Sequence, residues 1–117
     1  MNFKISERAL GPGQVALDIS GEVDVLTAPL LKDAIIAQVT KGAGQIIINL
    51  DDVEYLDSTG LGTLIGALKR TREAKCRLSI AGMNARIRRL FEITGIDKIF
   101  VIHETVADAL VASEGNS

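Results

Sequence analysis

A strand pattern followed closely by a helix pattern near the middle of the chain is the feature that most constrains its fold. The run Ile46 to Ile48 lies in a strand predicted over residues 45–50, because β-branched residues favour extended backbone. Helical spacing then begins near Ser58 and extends to about Ala74. One face of that helix is apolar and contains Leu61, Leu64, Ile65 and Leu68. A strand that leads into such a helix predicts a layered α/β fold.

The rest of the chain repeats this alternation of strands and helices. Hydrophobic patterns predict further strands at residues 3–9, 15–20, 77–81 and 98–102. Helix signals separate the later strands: Thr27 as an N-cap with Pro29 in the first turn, Asn84 as an N-cap, Gly95 as a helix end, and Thr105 with Asp108 as a capping box.

The predicted order β-β-α-β-α-β-α-β-α is that of one α/β domain, residues 1–112. We expect a mixed, mostly parallel sheet of about five strands with about four helices, and an antiparallel first strand at one edge. Residues 21–24 and 51–57 are predicted as loops, and residues 113–117 as a disordered tail.

Composition narrows the classes of function that this domain can have. The net charge is −2 and 3% of the residues are aromatic, so phosphate neutralisation and base stacking are weak and no nucleic-acid partner is expected. The single cysteine, Cys76, cannot form an internal disulfide, which fits the reducing cytoplasm. No apolar run approaches the roughly 18 residues of a membrane span, so direct membrane contact is not expected either.

The segment Asp57-Ser58-Thr59-Gly60-Leu61-Gly62 joins the central strand to its helix. Asp57 or Ser58 caps the helix, at a point where free backbone amides and the positive end of the helix dipole favour a bound phosphate. Nothing nearby is able to catalyse a reaction on such a group. We therefore interpret Ser58 as a residue on which another protein acts.

Three glycines weaken the helix that follows Ser58. Gly60, Gly62 and Gly66 cost about 1 kcal/mol each relative to alanine in a helix interior, and Gly60 costs less if it lies in the first turn. One interpretation of these glycines is tight packing on the sheet or on a neighbouring helix. The other, which the adjacent serine favours, is a docking face that a partner's backbone can approach. The face with Gly62 and Gly66 also carries Thr59, Thr63 and Arg70.

Acidic residues cluster in the two segments predicted as loops: Glu22, Asp24, Asp51, Asp52, Glu54 and Asp57. If the strands before them are parallel neighbours, both segments emerge at the same edge of the sheet, where α/β folds usually place their sites. Clustered carboxylates suit Mg²⁺, yet no ligand spacing is present. Neither a metal nor another cofactor is therefore expected.

No arrangement typical of catalysis is visible in the sequence. Ser58 is not part of a G-x-S-x-G elbow, and the one histidine, His103, lies far along the chain. The glycines match neither the dinucleotide fingerprint nor a P-loop. The chain is therefore expected not to be an enzyme. Arg86, Arg88 and Arg89 are interpreted mainly as a solvated face, with a contact to phosphate or to an acidic partner as the minority alternative.

Three segments together resemble the STAS domain family, and within it the stand-alone anti-sigma factor antagonists of bacteria. The motif at residues 57–62 is similar to the family's phosphorylation motif. Residues 21–24 with residues 27–30 are similar to the family's loop and first helix, and residues 78–82 with residues 90–95 supply the third similarity. The resemblance extends over nearly the whole chain and implies the STAS fold.

The resemblance also implies a partner-switching role. The unphosphorylated protein would bind an anti-sigma factor, often a serine kinase of the GHKL type, and so free a sigma factor. That kinase would use ATP to phosphorylate Ser58, with Thr59 as a second acceptor, and a PP2C-type phosphatase would reverse the reaction. Asp24 and Asp57 match family positions beside the phosphorylated serine. The predicted partner-binding residues are Asp24, Asp57, Thr59, Gly60, Gly62, Thr63 and Gly66.

Other roles on the same fold stay open at this point. The chain would act as a static interface if it were a STAS subunit docked on a transporter ATPase, or as a scaffold if it were stressosome-like. A small enzyme or nucleotide-binding domain is disfavoured because no base, metal cluster or phosphate loop is visible. The sequence is compatible with a monomer and with a weak dimer.

Overall fold

The computed structural model describes residues 2–115 and, within that range, five strands, four α-helices and one short 3₁₀ helix. The strands are β1 (Lys4–Gly11), β2 (Gln14–Val23), β3 (Gln45–Leu56), β4 (Arg77–Ala81) and β5 (Val101–His103). The helices are α1 (Ala28–Thr40), α2 (Ser58–Glu73), α3 (Ala85–Thr94) and α4 (Val106–Gly115), and the 3₁₀ helix is Ile96–Lys98. Within residues 2–115, no helix has the length and apolar character that crossing a bilayer requires.

The five strands form one sheet in the order β1-β2-β3-β4-β5. β1 is antiparallel to β2, and the other neighbouring pairs are parallel. The prediction of a mixed, mostly parallel sheet with the first strand at an edge is therefore confirmed. Because helices connect the parallel strands in sequence order, right-handed crossovers place α1, α2 and α3 on the same face of the sheet.

The main core lies between the sheet and these three helices. Ile46 and Ile48 of β3 pack there with Ile35 of α1, Leu64 of α2 and Ile87 of α3. A smaller cluster on the opposite face joins α4 to the sheet through Ala109, Ile47 and Ala81. Most of the sheet's apolar area is thus covered by the first three helices.

One side chain of the predicted apolar face of α2 lies outside this core. Leu61, Leu64 and Leu68 are buried, but Ile65 is 40% exposed. The prediction for Ile65 is therefore wrong. Leu64 and Leu68 define the centre of the contact with the sheet, and Ile65 lies at its border.

β2 and β3 each extend further than the sequence pattern predicts. β2 continues to Val23 and β3 to Leu56, so most of the two segments predicted as loops is paired strand. The register shifts between Asp18 and Ser20 and again between Gly21 and Glu22. At both places β3 advances by one residue more than β2, so the bulges lie in β3. They break the alternation of buried and exposed residues from which a strand is recognised, and this is why the loop prediction for residues 51–57 is wrong.

Most predicted helix caps are confirmed. Asp57 Oδ1 accepts a hydrogen bond from the amide of Gly60, Asn84 Oδ1 accepts one from Ile87, and Thr105 Oγ1 accepts one from Asp108. Gly95 ends α3 in the left-handed conformation, with φ of 75°. Thr27 occupies the predicted N-cap position of α1, but its side chain makes no cap bond, because its hydroxyl is hydrogen-bonded within the preceding loop.

The C-terminal elements differ in their bounds from the prediction. β5 begins at Val101, because the residues after Gly95 form the 3₁₀ helix first. α4 continues to Gly115, so the prediction of a disordered tail from Ser113 is wrong for residues 113–115. Serine and glutamate are acceptable in helices, which lets α4 extend this far. The remainder of the predicted tail, residues 116–117, lies outside the described residues.

Candidate functional site

Two neighbouring strand ends bring the predicted site residues together. Val23, the last residue of β2, pairs with Leu56, the last residue of β3. Directly after this pair, the amide of Asp57 donates a hydrogen bond to the carbonyl oxygen of Val23 over 3.2 Å. The β2–α1 loop and the start of α2 therefore form one continuous surface at the carboxyl edge of the parallel strands.

Ser58 is the first residue of α2 and is exposed. The cap is supplied by the preceding residue, since Asp57 has extended backbone and its Oδ1 accepts a 2.9 Å hydrogen bond from the amide of Gly60. The hydroxyl of Ser58 is therefore not required to hold the helix. Thr59 is exposed beside it. A group attached to either hydroxyl would point into solvent near the positive end of the helix dipole.

Asp24 organises the loop that faces Ser58. Its Oδ1 accepts hydrogen bonds from the amides of Leu26, at 2.9 Å, and Thr27, at 3.1 Å. The hydroxyl of Thr27 accepts a bond from the amide of Asp24 and donates one to the carbonyl oxygen of Glu22. These contacts fold the loop into a tight turn.

That turn presents two apolar side chains that the sequence analysis did not single out. Val25 is 66% exposed and Leu26 is 68% exposed, and Leu30 in the first turns of α1 is 53% exposed. Exposed apolar residues grouped at one edge of a domain are typical of a protein contact surface. Their signal in the sequence is a pair of adjacent apolar residues within a loop, and it identifies a contact surface only when the turn that exposes them is known.

Gly60 needs a correction, because the structure does not leave it accessible to a partner. It is buried, and a Cβ there would collide with the side chain of Leu56 and lie 3.0 Å from Val23 Cγ1. Glycine at this position lets the first turn of α2 lie directly against the ends of β2 and β3. Its role is internal packing.

Gly62 and Gly66 have the opposite environment. Both are exposed, and a Cβ on either would meet no atom within 4 Å. The interpretation that these glycines serve tight internal packing is therefore wrong. They line a groove of about 360 Å³ between α1 and α2, whose walls also include Thr59, Thr63, Lys32, Ile36 and Arg70.

Other residues weighed from the sequence lie elsewhere. Asp51, Asp52 and Glu54 are in β3 and line a separate, shallow depression with Asn84. Across residues 2–115, no group of three or more histidine, cysteine or acidic side chains is arranged to hold a metal ion. His103 is part of β5, away from the surface formed by Asp24, Ser58 and the glycine groove.

Comparison with known proteins gives consistent similarities. The STAS domain family model matches residues 4–109. The chain is 37% identical over 102 residues to an anti-sigma-B factor antagonist of Listeria monocytogenes, covering 87% of this chain and 90% of that protein. It is 41% identical over 86 residues to an anti-sigma-B factor antagonist of Staphylococcus aureus, covering 74% and 80% of the two chains.

A solved structure gives the same result for the fold. The crystal structure of an anti-sigma factor antagonist from Mycobacterium paratuberculosis matches with a TM-score of 0.85 and 31% identity, covering 95% of this chain and 93% of that one. The similarity therefore extends over nearly the whole fold.

Proposed function

The chain belongs to the STAS domain family, within its group of anti-sigma factor antagonists, and from that premise we propose that phosphorylation of Ser58 controls its docking to an anti-sigma factor. The observation that carries the proposal is the exposure of Ser58 at the start of α2, in a helix that Asp57 already caps. A kinase can reach this hydroxyl without unfolding anything. The protein is regulatory on this proposal, and it is acted on by enzymes without being one.

The unphosphorylated surface is suited to a protein partner. Val25 and Leu26 offer apolar contacts beside Ser58, and Gly62 and Gly66 open a groove into which a partner's backbone can fit. The two exposed glycines weaken α2 by about 1 kcal/mol each without any internal contact in return. A partner that seats closely in the groove accounts for their presence.

Phosphorylation of Ser58 would make this surface unfavourable for the partner without disturbing the fold. A phosphate adds about −1.5 to −2 charge at pH 7, and the helix N-terminus tolerates that charge. The same charge would stand beside Asp57 and Asp24, inside the docking surface. Burying it against a partner without a counter-charge weakens binding, and a loss of about 3 kcal/mol reduces affinity more than a hundredfold.

The remaining parts of the proposed switch rest on the resemblance to the family. The partner is an anti-sigma factor with serine kinase activity that uses ATP, and a PP2C-type phosphatase restores the bare serine. We place the protein in the cytoplasm, where the sigma factor and its regulators work. Thr59 is the second acceptor, since it is exposed next to Ser58.

The test is incubation of the full chain with ATP and a purified anti-sigma factor kinase of the GHKL type from the same organism, followed by mapping of the phosphate by mass spectrometry. We expect phosphate on Ser58, loss of that signal in Ser58→Ala, and retention of it in the matched control Thr59→Ala. Calorimetric titration should show affinity for the kinase reduced at least a hundredfold by Ser58→Asp. A phosphate on another element, or normal partner release by Ser58→Ala, would overturn the proposal and favour a static subunit.

A further inference from the structure

Helix α3 carries a second stripe of residues beside the face that it buries. The buried residues of the helix are Ile87 and Phe91, which pack in the main core. The second stripe has the spacing i, i+3, i+4, i+7 and consists of Arg86, Arg89, Leu90 and Ile93. A helix that packs on one sheet needs only one apolar face, so the second stripe is available for a contact outside the domain.

Across an open groove, this stripe faces the end of β3. The groove has a volume of about 280 Å³, and Tyr55 and Leu56 form its other wall. Ile93 is 71% exposed and Tyr55 is 50% exposed. Large apolar side chains that stay exposed around one groove are typical of a site where another protein binds.

The charged side chains that line the groove are both positive. Arg86 and Arg89 belong to the lining, and aspartate and glutamate do not. Arg86 Nη1 donates a 3.4 Å hydrogen bond to the carbonyl oxygen of Glu54, which holds this guanidinium against the end of β3. Among the described side chains, no carboxylate lies within 4.0 Å of either arginine. The groove is therefore complementary to a segment that carries carboxylates beside apolar side chains.

The groove is continuous with the docking surface around Ser58. Leu56 lines the groove and also packs against the first turn of α2, where a Cβ on Gly60 would collide with it. The two areas differ in charge, because Asp24 and Asp57 stand near Ser58 whereas the groove carries two arginines. A partner that covers both areas must present opposite charges to them, and this requirement selects one docking orientation.

We propose that the groove between α3 and the end of β3 binds an acidic amphipathic segment of the anti-sigma factor. This inference rests on the proposed function, because it assigns a further contact to the same partner. Apolar side chains of the segment pack between Tyr55 and Ile93. Its carboxylates accept hydrogen bonds from the guanidinium groups of Arg86 and Arg89, whose planar fork matches two carboxylate oxygens.

The test is calorimetric titration of the full chain with the purified anti-sigma factor from the same organism. Arg89→Gln should weaken binding about tenfold, because it leaves a carboxylate of the partner unpaired. Ile93→Asp should weaken binding at least as much, since it puts a like charge in the groove. Arg88→Gln is the matched control: it removes the same charge from nearly the opposite side of α3, outside the groove, and should change the affinity less than about twofold. Circular dichroism checks that each variant stays folded.

The outcomes separate this contact from the switch at Ser58. Unchanged affinity in Arg89→Gln, or an equal loss in Arg88→Gln, would overturn the contact at α3 and leave the switch intact. A loss in Arg89→Gln together with full affinity in Ser58→Asp would support the groove and refute the switch. If the chain alone sedimented as a dimer that Ile93→Asp dissociates, a second copy would be the occupant and the proposal would be overturned. Absence of binding by the parent chain would overturn both.

Discussion

The amide of Asp57 donates a 3.2 Å hydrogen bond to the carbonyl oxygen of Val23, and this bond ties the end of β3 to the end of β2. Each of these strand ends leads directly into the proposed docking surface, which comprises the Asp24 turn, Ser58 and the groove at Gly62 and Gly66. The Asp24 turn follows Val23, and Ser58 follows Asp57. A partner that contacts both segments therefore binds a preformed surface. Because these segments are already ordered, binding costs little of their conformational entropy.

The cap at Asp57 stabilises the whole domain. Asp57→Ala removes the acceptor of the Gly60 amide, so the free energy of unfolding should fall by about 1 kcal/mol. Urea unfolding at pH 7 measures this loss. Asp57→Ser keeps a side-chain oxygen and should recover most of the stability. An alanine variant as stable as the parent protein would show that the cap bond contributes nothing.

The glycines of α2 should respond to alanine in opposite directions. Gly60→Ala forces a methyl group against Leu56 and Val23, and we expect a loss of about 1–3 kcal/mol in the free energy of unfolding. Gly62→Ala and Gly66→Ala meet open space, so each should gain about 1 kcal/mol from helix propensity. Thermal or urea unfolding of the three variants gives the comparison directly.

The same pair of exposed glycines should matter for the partner. Bulk in the groove obstructs close approach, so Gly62→Leu should weaken anti-sigma factor binding at least about tenfold while leaving the fold intact. Lys69→Gln, elsewhere on α2, is the control. If Gly62→Leu bound the partner with unchanged affinity, the groove between α1 and α2 would not be part of the interface.

Phosphorylation of Ser58 should act locally. Because the hydroxyl is exposed and the cap belongs to Asp57, the added phosphate needs no rearrangement of the sheet. In NMR spectra of the phosphorylated chain, amide shifts should be confined to the Asp24 turn and the first turns of α2. Shifts distributed across β1, β4 and β5 would contradict a switch based on charge and bulk at the interface.

The ion pair between β1 and β2 should make stability depend on pH. Arg8 Nε and Nη2 each donate a 2.9 Å hydrogen bond to Asp18, and these bonds, with a further one from Asn49, hold the pKa of Asp18 below its ordinary value. A lowered folded-state pKa means that the pair stabilises the protein at neutral pH. That contribution is lost as pH falls below about 4 and through the folded-state pKa.

Asp18→Asn tests this dependence. Because both side chains are partly exposed, the variant should lose only about 0.5–1 kcal/mol at pH 7. The difference from the parent protein should shrink progressively below about pH 4. Urea unfolding across this pH range is the measurement, and Arg8→Gln should reproduce the result. A difference that stays constant down to the lowest accessible pH would exclude the ion pair as its cause.

The fold could be predicted from the sequence where local signals agree with the tertiary structure. The apolar run at Ile46 to Ile48, the caps at Asp57 and Asn84, and Gly95 each fix an element by its own chemistry. Prediction failed where pairing between strands decides the outcome. Residues 51–56 look like an acidic loop because the two bulges in β3 hide the alternation that would have identified a strand.

The site was only partly predictable for a related reason. Ser58 and the glycine face follow from spacing along one helix. The different roles of Gly60 and Gly62 depend on how close the neighbouring strands lie to each residue. No local sequence pattern reports the distance from a glycine to the atoms that face it. Val25 and Leu26 were missed because their exposure depends on the hydrogen bonds of Asp24 and Thr27, which form only when β2 extends to Val23.

The length of α2 keeps its two ends apart. A helix rises about 1.5 Å per residue, so Ser58 and Arg72 are separated by roughly 20 Å along its axis. A protein that contacts only the Ser58 end therefore leaves the C-terminal end of the same helix in solvent, and a second contact there would not have to compete with the first.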